Sequence, residues 1–174
     1  LADFNDYIPL YTDANETGKY TVLGGWGKGR GVELKAPLGQ TYGYKWAGSS
    51  SSQLRWGTNS IDTVTDINNH TCIEADFDGP EATDYETVIS EYDSGGGWFI
   101  EQNGEWLLAG LSYTVEDHGG ESWFKSTNGF TSDPDRQFAH RVSEYVSWIN
   151  AATSALGDCG TMPEDINEDC IVDT

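Results

Sequence analysis

Between Tyr20 and Val115 the apolar residues come in short runs, each stopped by glycine, serine or asparagine before it can fill a long helix. The runs are Tyr20–Leu23, Gln53–Trp56, Ile61–Ile67, Thr71–Phe77, Trp98–Gln102 and Trp106–Val115; Gly48-Ser49-Ser50-Ser51-Ser52 and Gly95-Gly96-Gly97 are among the stops. Within His70–Phe77, Ile73, Ala75 and Phe77 alternate with polar neighbours, the period-two pattern that puts every second side chain on one face of a strand. Many short strands joined by such turns predict an all-β barrel or sandwich. Cys72, inside that alternation, reads as a small strand residue rather than a nucleophile. No internal repeat is visible.

One segment differs. From Arg141 to Thr153, Val142, Tyr145, Val146 and Ile149 recur at helical spacing, which predicts a helix over 143–152. Ser143 suits its N-cap, because a hydroxyl there accepts an otherwise unpaired N–H of the first turn. Phe138 also fits the period, so the pattern alone allows a start near Pro134. After Leu156 the composition turns to Gly, Asp, Glu and Cys, which divides a domain of residues 1–156 from a tail of 157–174. Cys159 and Cys170 are close enough in that tail to pair in an oxidising compartment, and the sequence leaves this open.

Charge removes whole classes of partner. Nine Lys and Arg stand against twenty-nine Asp and Glu, a net charge of −20, and nucleic acid requires the opposite footprint. The acidity suits a solubilising surface or cation binding. Disorder is disfavoured by seven Trp, nine Tyr and six Phe, which supply a packed core. The longest apolar runs are too short to span a bilayer, and no signal-peptide pattern opens the chain. It starts on Leu1 and stops mid-pattern at Thr174, and is expected to be a piece of a longer protein.

The stretch with the most chemistry is Tyr92-Asp93-Ser94-Gly95-Gly96-Gly97-Trp98. A serine hydroxyl becomes a nucleophile only when a base takes its proton and donors stabilise the oxyanion it creates. Glycines after the serine allow a tight turn that leaves the hydroxyl open, and a preceding Asp can fix the loop through an ion pair. Asp, Ser and Gly also make ordinary turns, so the four residues alone favour a turn.

The surroundings change that reading. Asp93-Ser94-Gly95-Gly96 resembles the nucleophile loop of the trypsin/chymotrypsin family. Val22–Gly27 resembles its Gly-Trp-Gly strand, Gly104–Ser112 the strand that follows the nucleophile, and Arg141–Ile149 its closing helix. The resemblance covers about residues 7–153. It implies the second of two six-stranded antiparallel Greek-key barrels with a C-terminal helix, from a secreted endopeptidase whose catalytic His and Asp precede this region. It implies Ser94 as nucleophile, with the backbone N–H groups of Tyr92 and Ser94 as the oxyanion hole. Asp93 would pair with an amino terminus freed by activation cleavage. Val88 would sit at the base of the primary pocket, and Ser112, Tyr113 and Thr114 would line it. Val88 brings no charge, so the pocket reads as apolar, with Glu91 and Asp84 as the acids that could alter this. The substrate is a protein or peptide, and catalysis needs no cofactor. His70, His118 and His140 stand where the family has no catalytic histidine and read as solvated or structural. One departure is Tyr92, where the family has glycine: positive φ there is strained. An inactive homologue acting as a binding module, and a carbohydrate-binding β-domain using Trp26, Trp46 and Trp56, remain the rival readings.

In the tail, Asp165, Asn167, Asp169 and Asp173 occupy relative positions 1, 3, 5 and 9, with the Ile171 carbonyl at position 7. This is the ligand order of an EF-hand-type calcium loop. It resembles the first loop of a type I dockerin, which implies a calcium ion and a cohesin-like or cell-surface partner. Cys170 replaces the usual turn glycine, and the position-12 acid falls beyond Thr174. An acidic linker is the alternative.

Overall fold

A computed structural model describes residues 8–154. Ten strands occur there: β1 (Tyr20–Gly25), β2 (Arg30–Lys35), β3 (Thr41–Trp46), β4 (Arg55–Ser60), β5 (Thr63–Ile67), β6 (His70–Asp76), β7 (Gly97–Gln102), β8 (Glu105–Val115), β9 (Glu121–Trp123) and β10 (Arg136–Arg141). One helix, α1 (Val142–Ser154), follows. The strands form two sheets, one ordered β4-β1-β7-β8-β10-β6-β5 and one ordered β2-β3-β9, and every ladder between them is antiparallel. The all-β class with a C-terminal helix is therefore present, while no closed barrel is found among the described residues.

Local chemistry explains the hairpins. Asn68-Asn69 joins β5 to β6 with φ of 51° and 67°, and Asn103-Gly104 joins β7 to β8 with φ of 56° and 84°. Two-residue loops with positive φ match the twist of the strands they connect, and Asn and Gly reach that region at low cost. Alternation then fills the core: Leu23, Ile73, Ala75, Trp98, Ile100, Ala109 and Ala139 pack together with Tyr11, Ile61 and Ile89. Trp98 is fully buried, and its indole N–H donates to Ser112 Oγ at 3.0 Å, so the deepest ring carries no unpaired donor.

The six apolar runs all contain or adjoin strands, but β2, β3, β9 and β10 lie outside them. Residues 136–141 are a strand leading directly into α1, so Phe138 belongs to β10 and its match to the helical period was coincidental. The N-cap expected at Ser143 is not formed. The helix begins one residue earlier, and the Ser143 hydroxyl donates to Glu16 Oε1 at 2.6 Å. Residues up to Ser143 form one compact unit, and the segment from Glu144 belongs to another. The boundary near Gly157 and the Cys159–Cys170 pair lie outside the described residues.

Glu16 is 1% exposed and would be costly as a lone charge. Arg141 supplies two bonds, Nε to Oε1 at 3.0 Å and a terminal nitrogen to Oε2 at 2.8 Å. Burial pushes the Glu16 carboxyl up, but the bonds from Arg141 and Ser143 outweigh it and hold the group below its ordinary value. Such a group stabilises the fold fully above its unfolded pKa, near 4.5, and loses that contribution as pH falls further. Arg141→Ala, which strands the carboxylate, is expected to cost about 3–5 kcal/mol, against about 1 kcal/mol for Ser143→Ala. Urea unfolding at pH 7 and pH 3 tests both, and the Arg141 penalty should shrink at pH 3.

Candidate active site

The loop before β7 is organised by one carboxylate. Asp93 Oδ1 accepts the Gly27 N–H at 2.5 Å, and Oδ2 accepts the Ser90 N–H at 2.8 Å and the Ser90 hydroxyl at 3.0 Å. The carboxylate fits only because Gly25 and Gly27 lack side chains: a β-carbon on either would overlap it. The Gly25-Trp26-Gly27 motif thus packs against the Asp-Ser-Gly-Gly motif across sixty-six residues of sequence.

Beyond Asp93 the backbone turns sharply. Tyr92 has φ of 81° and Gly95 has φ of 81°. The turn is closed by Asp93 N–H to Ser90 O at 3.1 Å and Gly96 N–H to Asp93 O at 2.9 Å, and tied to β8 by Gly95 N–H to Ser112 O at 2.9 Å. Ser94 is exposed. Among the described residues neither Tyr92 nor Ser94 donates its N–H to a protein acceptor. The turn therefore carries an exposed serine and two backbone N–H groups without a protein acceptor.

Ser94 borders a cleft of about 460 Å³ that Ile89, Glu91, Tyr113, Thr114 and Asp117 also line. Tyr113 and Thr114 are thus brought to Ser94. Ser112 is instead buried beneath them, its hydroxyl accepting from Trp98 and its N–H bonded to Gly96 O at 2.8 Å. Val88 lines an adjoining cleft of about 340 Å³, which holds Asp93, Glu86, Tyr85 and Trp56 and shares Lys28, Trp46, Ile89 and Ser90 with the first. Glu91 is paired with the Lys28 ammonium, which also lies 5.5 Å from the Tyr92 ring centre. Asp84 lines neither cleft. Asp117 escaped the sequence reading. Its Oδ1 accepts the Gly119 and Gly120 N–H groups at 2.7 and 2.9 Å, and an Asp followed by two glycines is the signal that marked it.

No histidine lines the Ser94 cleft among the described residues. His118 stacks on Trp123, ring centres 3.5 Å apart, and its Nε2 lies 2.9 Å from the buried Asp135. His70 and His140 lie together against Tyr113. Cys72 is fully buried in β6, and burial, reinforced by Asp66, raises its thiol pKa. Of the three tryptophans, Trp26 and Trp56 are 61% and 63% exposed, while Trp46 is partly buried with its N–H on Ser122 Oγ. The tail positions Asp165, Asn167, Asp169, Ile171 and Asp173 lie outside the described residues. Within them, no group of three or more His, Cys, Asp or Glu is placed to hold a metal ion. No protein-family model matches the chain, and no curated protein matches it.

Two measurements follow from this geometry. Tyr92→Gly and Tyr92→Ala both remove the ring, but only glycine relieves the positive φ. The glycine variant should be the more stable by about 1 kcal/mol in thermal unfolding, and equal stabilities would remove the strain. Glu86 is pushed up to about 7 by burial and by the Asp78 and Asp62 charges, against the bonds from the Thr83 hydroxyl and the Asp78 backbone. A raised carboxyl contributes stability below its unfolded pKa that is lost as pH rises through the folded value. Stability should therefore decline between about pH 4.5 and 7. Glu86→Gln should flatten that decline and gain on the order of 1 kcal/mol at pH 8, discounted for partial exposure.

Proposed function

We propose that this chain is the second half of a trypsin-like serine endopeptidase and that Ser94 is its nucleophile. The observation that carries the reading is the turn itself: an exposed hydroxyl flanked by the unpaired N–H groups of Tyr92 and Ser94, with Asp93 anchored behind it. Ser94 Oγ attacks the peptide carbonyl, and its proton passes to an imidazole from outside residues 1–174. The tetrahedral oxyanion accepts bonds from the two N–H groups. The imidazolium then gives its proton to the departing amine, and water hydrolyses the acyl ester by the same route. Greek-key closure of these strands into a barrel belongs to this same reading. So does pairing of Asp93 with a freed amino terminus.

The edge of β8 supports a substrate role for Tyr113 and Thr114. Ser112 is still bonded to Gly95 and Gly96, but beyond it residues 113–115 have β10 on one side only, since the β7 ladder ends at Gly97 opposite Leu111. A peptide can lie along the open edge with its carbonyl at Ser94. The calcium loop and its cohesin-like or cell-surface partner stay with the resemblance of the tail.

A fluorophosphonate probe should label Ser94 in the full-length protein and fail with Ser94→Ala. Residues 1–174 alone should not hydrolyse peptides, since losing the triad histidine costs on the order of 10⁶ in turnover. No labelling of an intact full-length protein favours the inactive homologue. Retention on immobilised polysaccharide, lost with Trp26→Ala or Trp56→Ala, favours the carbohydrate reading. In a P1-varied peptide library the enzyme should prefer apolar residues over Lys or Arg. Ile89 lines the Ser94 cleft and Lys28 neutralises Glu91. A preference for Arg would assign the pocket charge to Asp117.

A further inference from the structure

We propose that His70 and His140 form a binding site for a divalent transition cation such as Zn²⁺, with Tyr113 closing one side. His140 on β10 lies opposite Cys72 on β6, and His70 is two residues before Cys72, so the two imidazoles are diagonal neighbours on one face of the sheet. Their ring centres are 4.9 Å apart at an interplanar angle of 86°. Zinc binds an imidazole nitrogen at about 2.0–2.1 Å, and two imidazoles on one tetrahedral ion have ring centres about 5 Å apart. The observed separation matches that spacing, although the rings now pack edge to face and must turn for both nitrogens to reach one ion.

Tyr113 completes the cluster because the ladder slips beside it. Ser112 faces Ala139 and Thr114 faces Phe138, which leaves Tyr113 as the extra residue of a β-bulge. Its ring sits 4.3 Å from His140 and 5.7 Å from His70, and its hydroxyl accepts from Asn68 Nδ2 at 3.3 Å. No third His, Cys, Asp or Glu joins the pair among the described residues, so water fills the remaining positions. Such a donor set suits zinc, nickel or copper and not calcium, which wants oxygen.

Tyr113 also lines the Ser94 cleft, so an ion here would restrain one of its walls. That coupling rests on the protease reading; the site itself does not. The experiment is a Zn²⁺ titration of residues 1–174 at pH 7.5, followed by calorimetry and by the imidazole Hε1 proton signals. The chain has three histidines, and His118, held by Trp123 and Asp135, is an internal control. The expected result is a shift of the His70 and His140 signals with His118 unmoved. His70→Ala or His140→Ala should weaken the zinc term that moves them by at least about tenfold, the lower end of the cost of losing even an outer-shell partner. Zinc taken up by the acidic tail alone would move no imidazole signal. That outcome, a shift confined to one of the two rings, or unaltered binding in both variants with the fold intact by circular dichroism, overturns the proposal. Loss of peptidase activity in the full-length enzyme would leave it standing.

Discussion

The candidate site depends on where one carboxylate can sit. Asp93 takes three hydrogen bonds, from the Gly27 N–H and from the N–H and hydroxyl of Ser90, in a space that exists because residues 25 and 27 have no side chains. The two backbone bonds fix the residue before Ser94 on both sides, and the Ser90 hydroxyl is shared between Asp93 Oδ2 and the Lys28 carbonyl. β1 is fixed in turn by β4 and β7. Through Gly27 the loop inherits the rigidity of the seven-stranded sheet, although the loop itself has no regular structure. The exposed hydroxyl is thus held from behind while its front stays open.

How much of this could be read from the sequence depended on which residues pointed inward. β6 was legible because Ile73 and Ala75 fall on one face among polar neighbours, and β7 because Trp98 and Ile100 do. β2 was not: only Val32 and Leu34 are apolar in it, Val32 is 68% exposed, and Gly31 is needed where the β3 backbone comes close. β10 was hidden by an accident of period, since Phe138 and Val142 stand four apart as they would on a helix while the backbone between them is extended. Ser94 and Asp93 were legible as a motif, and the Gly-Trp-Gly match gained physical content only once Gly25 and Gly27 were seen to bound the Asp93 carboxylate. Counting residues back from Ser94 chose Val88 for the pocket base. Val88 lines the neighbouring cleft and Ile89 lines both, a distinction that spacing does not carry.

The large negative charge has a local consequence that its total does not show. Most of the acids face water, but Asp62, Glu74, Asp76, Asp78 and Glu86 interact with one another. Burial first, and then the Asp62, Asp78 and Glu74 charges, push Asp76 up to about 6. Asp62 has taken the Asp76 N–H at 2.8 Å, while Asp76 Oδ1 is buried without a partner. Arg136, the one cation opposite, is shared with Glu116. The region therefore resists full ionisation, which is the reverse of Glu16, where the bonds from Arg141 and Ser143 make ionisation favourable. Carboxylates in one small fold thus respond to pH with opposite sign, according to whether hydrogen bonds or burial dominates at each.

Backbone strain separates the site from the rest of the fold more sharply than charge does. Among the described residues four non-glycine residues have positive φ, and three of them, Asn68, Asn69 and Asn103, are asparagines in two-residue hairpin turns. Asparagine enters that region readily, so those three are ordinary turn chemistry. Tyr92 has no such excuse: its ring is 58% exposed and gains little from burial, and its backbone conformation costs of order 1–3 kcal/mol. Such a residue keeps its conformation only when its neighbours over-determine it. Here they do, through Asp93 on Gly27 and Ser90 and through Gly95 and Gly96 on Ser112 and Asp93. What the strain produces is the turn that leaves the Tyr92 and Ser94 N–H groups unpaired beside one hydroxyl. That arrangement is what the proposed acyl transfer at Ser94 would use.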